Sequence, residues 1–312
     1  MTICNICGGE TKKIEVKEQM LGLHEIFQYN QCIECGHAHL NNSPENIEKY
    51  YNSKEYYSFS SKNSFIDEAL NKPSFKTKLR KILLLLNIKK NILFSAPLKA
   101  LLSIKGVSKT QKILDYGCGA GQFVKELIEN GFENARGYDL YLPENIEING
   151  EVYLSNNLSN LKNNSWDIIT LNHVFEHVPD PIELLKDLKK IMAPGGKLLL
   201  RFPVIDSFAF EKYRENWVQF DAPRHVNLFT RKSIQLVVQK AGGFKIQNLY
   251  DDSFHFQFTG SELYLKNLSL NPEDNSRKKR LLSLDTYRYH FLAKKLNKER
   301  KGDQIVVILE SI

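Results

Sequence analysis

A glycine-rich turn after a short apolar run constrains this chain more than any other feature of its sequence. Residues 113–116, Ile-Leu-Asp-Tyr, read as a buried strand, and Gly117, Gly119 and Gly121 follow. Glycines at this spacing predict a sharp strand-to-helix turn, because side chains would keep the backbone away from a ligand. Asp139 ends the next strand-like run, about 20 residues further on, where a carboxylate can accept hydrogen bonds from ribose hydroxyls. The pair predicts an adenosine-containing cofactor at the edge of a parallel sheet.

The residue that follows the third glycine separates two classes of cofactor. Turns that bind dinucleotides have a glycine at the position that Gln122 occupies here, which seats a pyrophosphate on the helix. The tighter turn of this chain suits a ligand without phosphate and disfavours the alternative, an NAD-dependent oxidoreductase. Together with Asp115, it resembles motif I of the class I S-adenosylmethionine (SAM) dependent methyltransferases.

A second segment has the pattern of the same family. Residues 166–178 form an apolar strand followed by a polar turn, and they resemble motif IV, whose strand end lies beside the methionine part of SAM. Asp180, Pro181 and Glu183 then predict a helix start, with an acidic cap and proline at the first position. Strands and helices continue to alternate, which is typical of a doubly wound sheet. The resemblance covers about residues 107–260 and the final strand, and it implies a mostly parallel, seven-stranded α/β sheet.

Four of the five cysteines form two short motifs near the N-terminus. Cys4 and Cys7, and again Cys32 and Cys35, are separated by two residues and followed by glycine. Two such pairs supply four thiolates in a tetrahedron, the arrangement of a closed structural zinc site. Disulfides or free thiols are the alternatives, and a reducing compartment disfavours disulfides. The sequence therefore predicts a zinc ribbon, with the nearby His24, His37 and His39 at the surface rather than among the ligands.

These motifs divide the chain into three predicted parts. Residues 1–42 form the zinc ribbon, 43–106 a helical linker or cap, and 107–312 the SAM-binding domain. Some fifty residues separate the last two strand-like runs, which predicts a helical insertion at about 260–302: a substrate lid, an oligomer contact or an elaboration. Hydrophobic content of 42% and charged content of 25% are ordinary for a globular protein. We see no signal peptide or membrane-spanning run, and we expect a cytoplasmic protein.

The family resemblance also implies which residues contact SAM. Positions after the first four strands of the domain supply these contacts. An aspartate is common in the family after the third strand, where this chain offers Asn156 and Asn157, and an amide can both donate to and accept from the adenine edge. The implied residues are Asp115, Gly117, Gly119, Gly121, Phe123, Asp139, Leu140, Asn157, Asn172 and His173.

The acceptor side is expected in residues 217–230, between the fifth strand and a helix that Thr230 caps. This segment resembles that of zinc-bearing methyltransferases of sugar and surface-polysaccharide modification, including deoxysugar C-methyltransferases. That resemblance implies His225 as the general base. A structural histidine is the alternative, and His173, Glu176 and His177 compete for the role of base. The extra C-terminal domain of the C-methyltransferases is lacking, which weakens a prediction of C-methylation.

A basic stretch precedes the glycine turn. Residues 72–112 contain eleven lysines and arginines and no acid, in a chain of net charge +7. A solvated face of packed helices is the plainer interpretation. A docking surface for an anionic acceptor, or contact with an anionic membrane surface, is the alternative. A nucleic-acid-binding surface is possible on charge grounds, but no recognition motif in the sequence supports it.

The predicted function is transfer of a methyl group from SAM to a small acceptor. The acceptor is expected to be anionic and sugar-like, such as a nucleotide-linked or lipid-linked sugar. A SAM-binding zinc-ribbon protein without activity is the remaining alternative. The sequence does not predict whether oxygen, nitrogen or carbon is methylated, or the oligomeric state.

Overall fold

Runs of consecutive apolar residues form the central strands, as expected for a sheet covered on both faces. The structure, a computed structural model, describes residues 2–51, 94–161, 165–270 and 284–312. Its strands are β1 (Thr11–Lys17), β2 (Ile26–Cys32), β3 (Ala38–Leu40), β4 (Ile113–Tyr116), β5 (Ala135–Tyr138), β6 (Ile146–Ile148), β7 (Glu151–Ser155), β8 (Trp166–Asn172), β9 (Met192–Pro203), β10 (Asn227–Leu228), β11 (Phe244–Asp251) and β12 (Gln304–Ser311). Its α-helices are α1 (Ala96–Leu102), α2 (Gln122–Glu129), α3 (Pro181–Lys190), α4 (Phe208–Tyr213), α5 (Arg231–Ala241), α6 (Phe256–Tyr264) and α7 (Leu284–Lys298).

The larger sheet has the strand order β11-β12-β9-β8-β4-β5-β7-β6. The five strands from β9 to β7 are parallel, whereas β12 is antiparallel to both of its neighbours. This is the doubly wound, mostly parallel sheet that the sequence predicts. The chain runs outward from β4 to β5 and β7, then returns to place β8 on the other side of β4. The carboxyl ends of β4 and β8 therefore border the crevice in which ligands of such sheets bind.

The sheet has eight strands rather than the expected seven, because β6 joins its edge. Asn149 and Gly150 connect β6 to β7, with φ angles of 53° and 76°. Positive φ at both residues is the requirement of a type I′ hairpin turn, for which Asn-Gly is a favoured pair. The added strand is antiparallel to β7 and leaves the seven expected strands in place.

Alternation along the strands gives each face of the sheet its own core. On one face, Leu114 and Leu200 pack in a buried cluster with Leu185 of α3 and Val237 of α5. On the other face, the neighbouring residues of the strands pack with α1 and α2. Asp180 caps α3 by accepting a hydrogen bond from the backbone of Glu183, as its position in the sequence predicts. Both layers of helices hold the carboxyl edge of the sheet rigid.

The N-terminal ribbon is joined to the core through a second sheet. Its strand order is β1-β2-β3-β10, so the two-residue strand β10 of the core completes the sheet of the ribbon. Ala38 lies opposite Leu228, and His39 opposite Asn227. His37 is fully buried against the core, with Nε2 3.0 Å from Asn227 Oδ1, so the expectation of a surface position was wrong. The buried interface with the core explains the difference.

The insertion before the last strand is helical, as predicted, and begins slightly earlier, with α6. Residues 271–283 lie outside the described part of the chain. Ala293 and Leu296 of α7 are buried with Trp217 and Phe258, so the insertion packs beside the segment that carries His225. Within the described residues, no helix has the length and apolar character needed to cross a bilayer. Most of the predicted linker, residues 52–93, with most of the basic stretch, falls outside the described ranges.

We expect Asp303→Asn to stabilise the protein at high pH. Asp303 is buried and accepts a hydrogen bond of 3.1 Å from Trp217 Nε1. Burial raises its pKa from 3.8 to about 6, although the bond to Trp217 opposes the change. The folded protein therefore holds the proton more strongly than the unfolded chain, and stability falls as the pH rises from about 4 to 6.

The pKa difference corresponds to at most about 3 kcal/mol, which the neutral amide avoids while its oxygen still accepts from Trp217. The variant should exceed the wild type in free energy of unfolding at pH 8 and approach it towards pH 4.5. Urea denaturation at several pH values measures this. Equal stability of the two proteins at pH 8 would contradict the expectation.

Candidate active site

The turn between β4 and α2 has no room for side chains at two of its glycines. Gly117 and Gly121 have φ angles of 78° and 81°. A Cβ atom would lie 2.3 Å from Val174 Cγ2 at the first position and 2.4 Å from Leu154 Cδ1 at the second. Both conformation and packing therefore require glycine, and the backbone of the turn stays uncovered at the carboxyl edge of the sheet.

Asp139, directly after β5, ties the glycine turn to its neighbour. Its Oδ2 accepts a hydrogen bond of 2.8 Å from the backbone N–H of Gly119, and Oδ1 accepts one of 2.9 Å from Tyr141. Burial raises the pKa of this carboxyl, and the two N–H donors oppose the rise. Each carboxylate oxygen can accept a further hydrogen bond, so the two together can hold a vicinal diol.

Asp115 lies one strand away and is almost fully buried. Its Oδ1 accepts hydrogen bonds from Thr170 Oγ1 at 2.7 Å and from Asn172 Nδ2 at 3.3 Å, both on β8. Burial raises its pKa to about 7, against these two donors. The amide oxygen of Asn172 is buried and accepts no hydrogen bond from any described residue, so this group can receive a donor from a ligand.

The other predicted cofactor residues surround this crevice with little direct contact among themselves. Phe123 is buried in the first turn of α2, and Leu140, beside Asp139, is 65% exposed. Asn157 follows β7 and is exposed, and its side-chain oxygen caps the next turn by accepting from the backbone of Ser159 at 3.0 Å. Its local bond is compatible with, and does not test, a contact with adenine.

His173 leaves β8 with a φ of 55° and is held from both sides. Arg201 Nη1 lies 2.8 Å from His173 Nε2, and because guanidinium only donates, Nε2 accepts and Nδ1 carries the proton. Nδ1 in turn lies 3.3 Å from Glu176 Oε1. Arg201 is itself paired with Asp252 at 2.6 Å. These contacts orient the residue that follows Asn172 and were not predicted from the sequence.

His225 lies in the segment between α4 and α5 and is only 4% exposed. Its Nδ1 is 2.8 Å from the carbonyl oxygen of Gln219, so Nδ1 donates and Nε2 bears the lone pair. Nε2 faces two carboxylates, Asp221 Oδ2 at 3.5 Å and Glu176 Oε1 at 3.9 Å. Burial lowers the pKa of His225 to about 4, although Asp221 opposes this, and the imidazole is neutral at pH 7. Asp221 also pairs with Arg224.

Glu176 and His177 join His225 in one cluster, which the sequence indicated only weakly. One ligand atom from each of the three lies within 4.8 Å of the others. Glu176 is fully buried; burial raises its pKa, but His173, His177 and His225 outweigh burial and lower it to about 2. From the sequence, both residues were named only as competitors of His225 for the role of base. The clue in the sequence was that a glutamate and a histidine, Glu176 and His177, follow within five residues of the end of the buried strand β8.

Tyr51, in the linker that follows the ribbon, contacts this cluster. Its hydroxyl lies 3.2 Å from His177 Nδ1, and its ring stacks on Tyr141 with centroids 6.2 Å apart. Tyr141 is the residue whose N–H binds Asp139. An aromatic segment before the core therefore reaches both sides of the crevice. Tyr56 and Tyr57, a few residues further along the chain, lie outside the described residues.

The four cysteines of the ribbon come together as their spacing predicts. Cys4 Sγ lies 3.7 Å from Cys35 Sγ, and Cys7 Sγ lies 3.3 Å from Cys32 Sγ, without disulfide bonds. A tetrahedral zinc–thiolate site has sulfurs about 3.8 Å apart. The backbone N–H of Ile6 also points at Cys4 Sγ, at 3.4 Å, and a donor of this kind stabilises a thiolate. These residues can hold a zinc ion.

Comparison with known proteins agrees with this architecture. Residues 76–248, just over half of the chain, match the family model described as a methyltransferase domain. The chain belongs to this methyltransferase family. Residues 76–248 therefore lie in a methyltransferase domain of the SAM-dependent class, which favours methyl transfer over the oxidoreductase alternative.

Individual relatives match over shorter stretches. An enzyme of Nitrosococcus oceani named ubiquinone biosynthesis O-methyltransferase is 29% identical over 164 residues, which cover 45% of this chain and 65% of that protein. A tRNA U34 carboxymethyltransferase of Dichelobacter nodosus is 30% identical over 112 residues, or 33% of this chain and 36% of the relative. The chain therefore spans less than two thirds of the length of these relatives. A SAM-dependent methyltransferase structure from Archaeoglobus fulgidus is 17% identical, covers 81% of this chain and all of its own, and has a TM-score of 0.40.

Proposed function

We propose that the protein transfers a methyl group from SAM to a hydroxyl group of a small, anionic, sugar-like acceptor. Nucleotide-linked and lipid-linked sugars are the acceptor classes to test first. The observation that carries the proposal is the position of Glu176. This buried carboxylate contacts His173, which follows β8 at the edge of the cofactor crevice. It also faces His225, which belongs to the acceptor-side segment. Cofactor-side and acceptor-side residues thus meet in one site.

The residues of the crevice fit SAM by their donor and acceptor groups. The unpartnered Oδ1 of Asn172 can accept from the α-amino group of the methionine part, and Asp139 can accept from the ribose hydroxyls. No phosphate-binding glycine is present at Gln122. When bound, SAM supplies an electrophilic methyl group and a neutral thioether as the leaving group. The protein must then align the acceptor and remove its proton.

We propose His225 as the group that receives this proton. Its neutral imidazole has the lone pair on Nε2, and the carboxylates of Asp221 and Glu176 stabilise the cation formed when Nε2 accepts a proton. The acceptor hydroxyl is favoured over a carbon or amine because the relative from Nitrosococcus oceani is named an O-methyltransferase.

The ribbon has a structural part in this proposal. We propose that Cys4, Cys7, Cys32 and Cys35 hold one zinc ion, which stabilises residues 1–42. The ribbon in turn positions the segment that carries His225, because the hydroxyl of Tyr29 donates to the backbone oxygen of His225 at 2.9 Å. Residues 107–312 form the catalytic domain in this division, with 43–106 between the two.

Calorimetry with SAM, S-adenosylhomocysteine and NAD tests the choice of cofactor. The first two are expected to bind, and NAD is not. Binding of NAD without SAM would overturn the proposal. Release of S-adenosylhomocysteine in the presence of a panel of nucleotide-linked sugars, lipid-linked sugars and other hydroxylated compounds then tests the acceptor. SAM binding without turnover on any hydroxylated compound would favour the inactive binding protein.

We expect His225→Ala to lower turnover by about 10²-fold or more while leaving SAM affinity unchanged. The reason is that His225 lies in the acceptor-side segment, whereas the residues expected to bind SAM lie at the glycine turn and after β5. Turnover is measured with the best acceptor of the panel, and SAM affinity by calorimetry. His290→Gln, a change of histidine on the helix α7, is the matched control and should retain turnover. Unchanged turnover in the alanine variant would remove His225 from the proposed role.

A further inference from the structure

One cluster of side chains after β8 contains more hydrogen-bond acceptors than donors. Its members are Glu176, His177 and His225. One atom of each lies within 4.8 Å of the others, and all three residues are buried or half-buried. His225 Nε2, with its lone pair, faces Glu176 Oε1 at 3.9 Å and Asp221 Oδ2 at 3.5 Å. Two carboxylates that face one buried imidazole nitrogen concentrate negative charge, which a cation bound between them would neutralise.

Both imidazoles are oriented by backbone carbonyl groups. His177 Nδ1 lies 2.8 Å from the carbonyl oxygen of Arg224, and His225 Nδ1 lies 2.8 Å from that of Gln219. A carbonyl oxygen only accepts, so Nδ1 of each ring carries a proton, and Nε2 is the nitrogen left to bind a metal ion. Histidines that bind metal ions typically donate their other ring N–H to a carbonyl or a carboxylate in this way.

Glu176 supplies the charged member of the cluster. It is fully buried, and neither carboxylate oxygen accepts a well-formed hydrogen bond from the described residues; the closest donor is His173 Nδ1, 3.3 Å from Oε1. Without such hydrogen bonds, the buried carboxylate depends on the positive charge that its histidine neighbours can carry. A bound cation would supply that charge while the imidazoles act as neutral ligands.

We propose that Glu176, His177 and His225 bind a divalent transition-metal ion in a second metal site, separate from the cysteine cluster. Two imidazoles and one carboxylate suit zinc, manganese or iron and leave coordination positions open, whereas magnesium prefers oxygen ligands. Ligand atoms of one such ion lie about 3–3.5 Å apart, so the side chains must approach one another by about an ångström on binding.

This inference rests on the proposed methyl transfer and gives the acceptor a chemical requirement. An open coordination position beside β8 can take an acceptor oxygen, and the ion lowers the pKa of that hydroxyl. With the ion bound, His225 Nε2 is a ligand and no longer receives the proton, so the hydroxyl loses its proton to solvent. The oxygen then forms a bond to the methyl carbon as the sulfur–carbon bond breaks and leaves a neutral thioether. An acceptor with two neighbouring oxygens, such as a vicinal diol, would chelate the ion.

The test uses the full chain with its cysteine cluster already loaded with zinc. Calorimetric titration with further Zn²⁺ is expected to show one additional equivalent per chain in the wild type and in the control His290→Gln. Glu176→Gln and His177→Gln should each bind this additional ion about 100-fold more weakly or not at all, while keeping the zinc of the cluster. The second variant covers the case in which the first does not fold.

Two results would overturn the site: no additional equivalent in the wild type, or an additional equivalent that both variants retain. SAM binding, measured on the same samples, separates this failure from that of the proposed function. If the wild type binds the additional zinc but not SAM, the methyl transfer fails and the site stands. A third outcome concerns the role of the ion in the reaction: SAM binds, while turnover neither depends on the additional ion nor changes in Glu176→Gln. In that case the ion has no part in the reaction, and the site is rejected as a reactive centre.

Discussion

Cys4→Ser is expected to remove the zinc ion of the ribbon and to lower turnover without weakening SAM binding. Serine leaves three sulfurs where four converge, with Cys4 Sγ only 3.7 Å from Cys35 Sγ in the intact cluster. Structural zinc sites contribute about 10–16 kcal/mol to the folding of small domains, so the ribbon should lose most of its stability with the ion. This is the largest effect that we expect from a single substitution.

The effect should reach the active site because the ribbon and the core share a sheet. β3 of the ribbon pairs with β10, two residues after His225. Thr230 Oγ1 donates to the carbonyl oxygen of Cys35 at 2.6 Å, and the hydroxyl of Tyr29 donates to that of His225. The glycine turn and Asp139, by contrast, make their contacts within the core.

Metal analysis, amide hydrogen exchange and turnover together measure this outcome. The variant should contain one zinc equivalent less than the wild type, and exchange faster both in residues 2–51 and in the segment around His225. Cys118→Ser is the matched control: Cys118 lies in the glycine turn, away from the other cysteines, and the control should keep the zinc. A zinc-free Cys4→Ser protein with wild-type exchange in the ribbon would refute the structural role of the ion.

Asp139→Ala is expected to weaken SAM binding by about 10³-fold. Two charge-assisted hydrogen bonds from a ribose diol contribute about 1.5–3 kcal/mol each, and alanine removes both. The substitution also releases Gly119, whose N–H donates to Asp139 at 2.8 Å, and loosens the turn on which the cofactor rests. Asp139→Asn should be milder, because the amide oxygen keeps one acceptor.

Calorimetry with SAM and S-adenosylhomocysteine measures the loss for both ligands. Glu133→Gln, which neutralises an exposed acid before β5, is the control and should bind both as the wild type does. The free energy of unfolding of the alanine variant shows whether the domain remains folded. Wild-type affinity in a folded Asp139→Ala protein would exclude the carboxylate from cofactor binding.

Local patterns predicted the core of the fold because they report on local physics. Alternating glycines after an apolar run predicted the strand-to-helix turn, and Asp180 with Pro181 predicted the start of α3. The type and order of these elements followed, and so did the doubly wound sheet. The pairing of cysteines two residues apart predicted their cluster, because the spacing itself brings each pair of sulfurs together.

One local feature and several contacts between distant segments were missed. The edge strand β6 arises from the Asn149–Gly150 turn, whose local signal was present but was not used. The burial of His37 had no such signal, because it depends on Asn227, 190 residues away. The same holds for the contact between Arg201 and His173, which joins the ends of β8 and β9.

The sequence by itself determined the class of this protein: the alternating elements, the glycine turn with its acid, and the two cysteine pairs all act over a few residues. Only the tertiary structure decided what surrounds His225. Glu176 and His177 are 48 residues or more before it in the chain, and they reach it because β8 ends at the crevice that the segment before α5 covers. Whether a histidine is neutral, where its lone pair points and which carboxylates it faces depend on burial and on distant partners. Those are properties of the packed molecule that no short pattern of residues encodes.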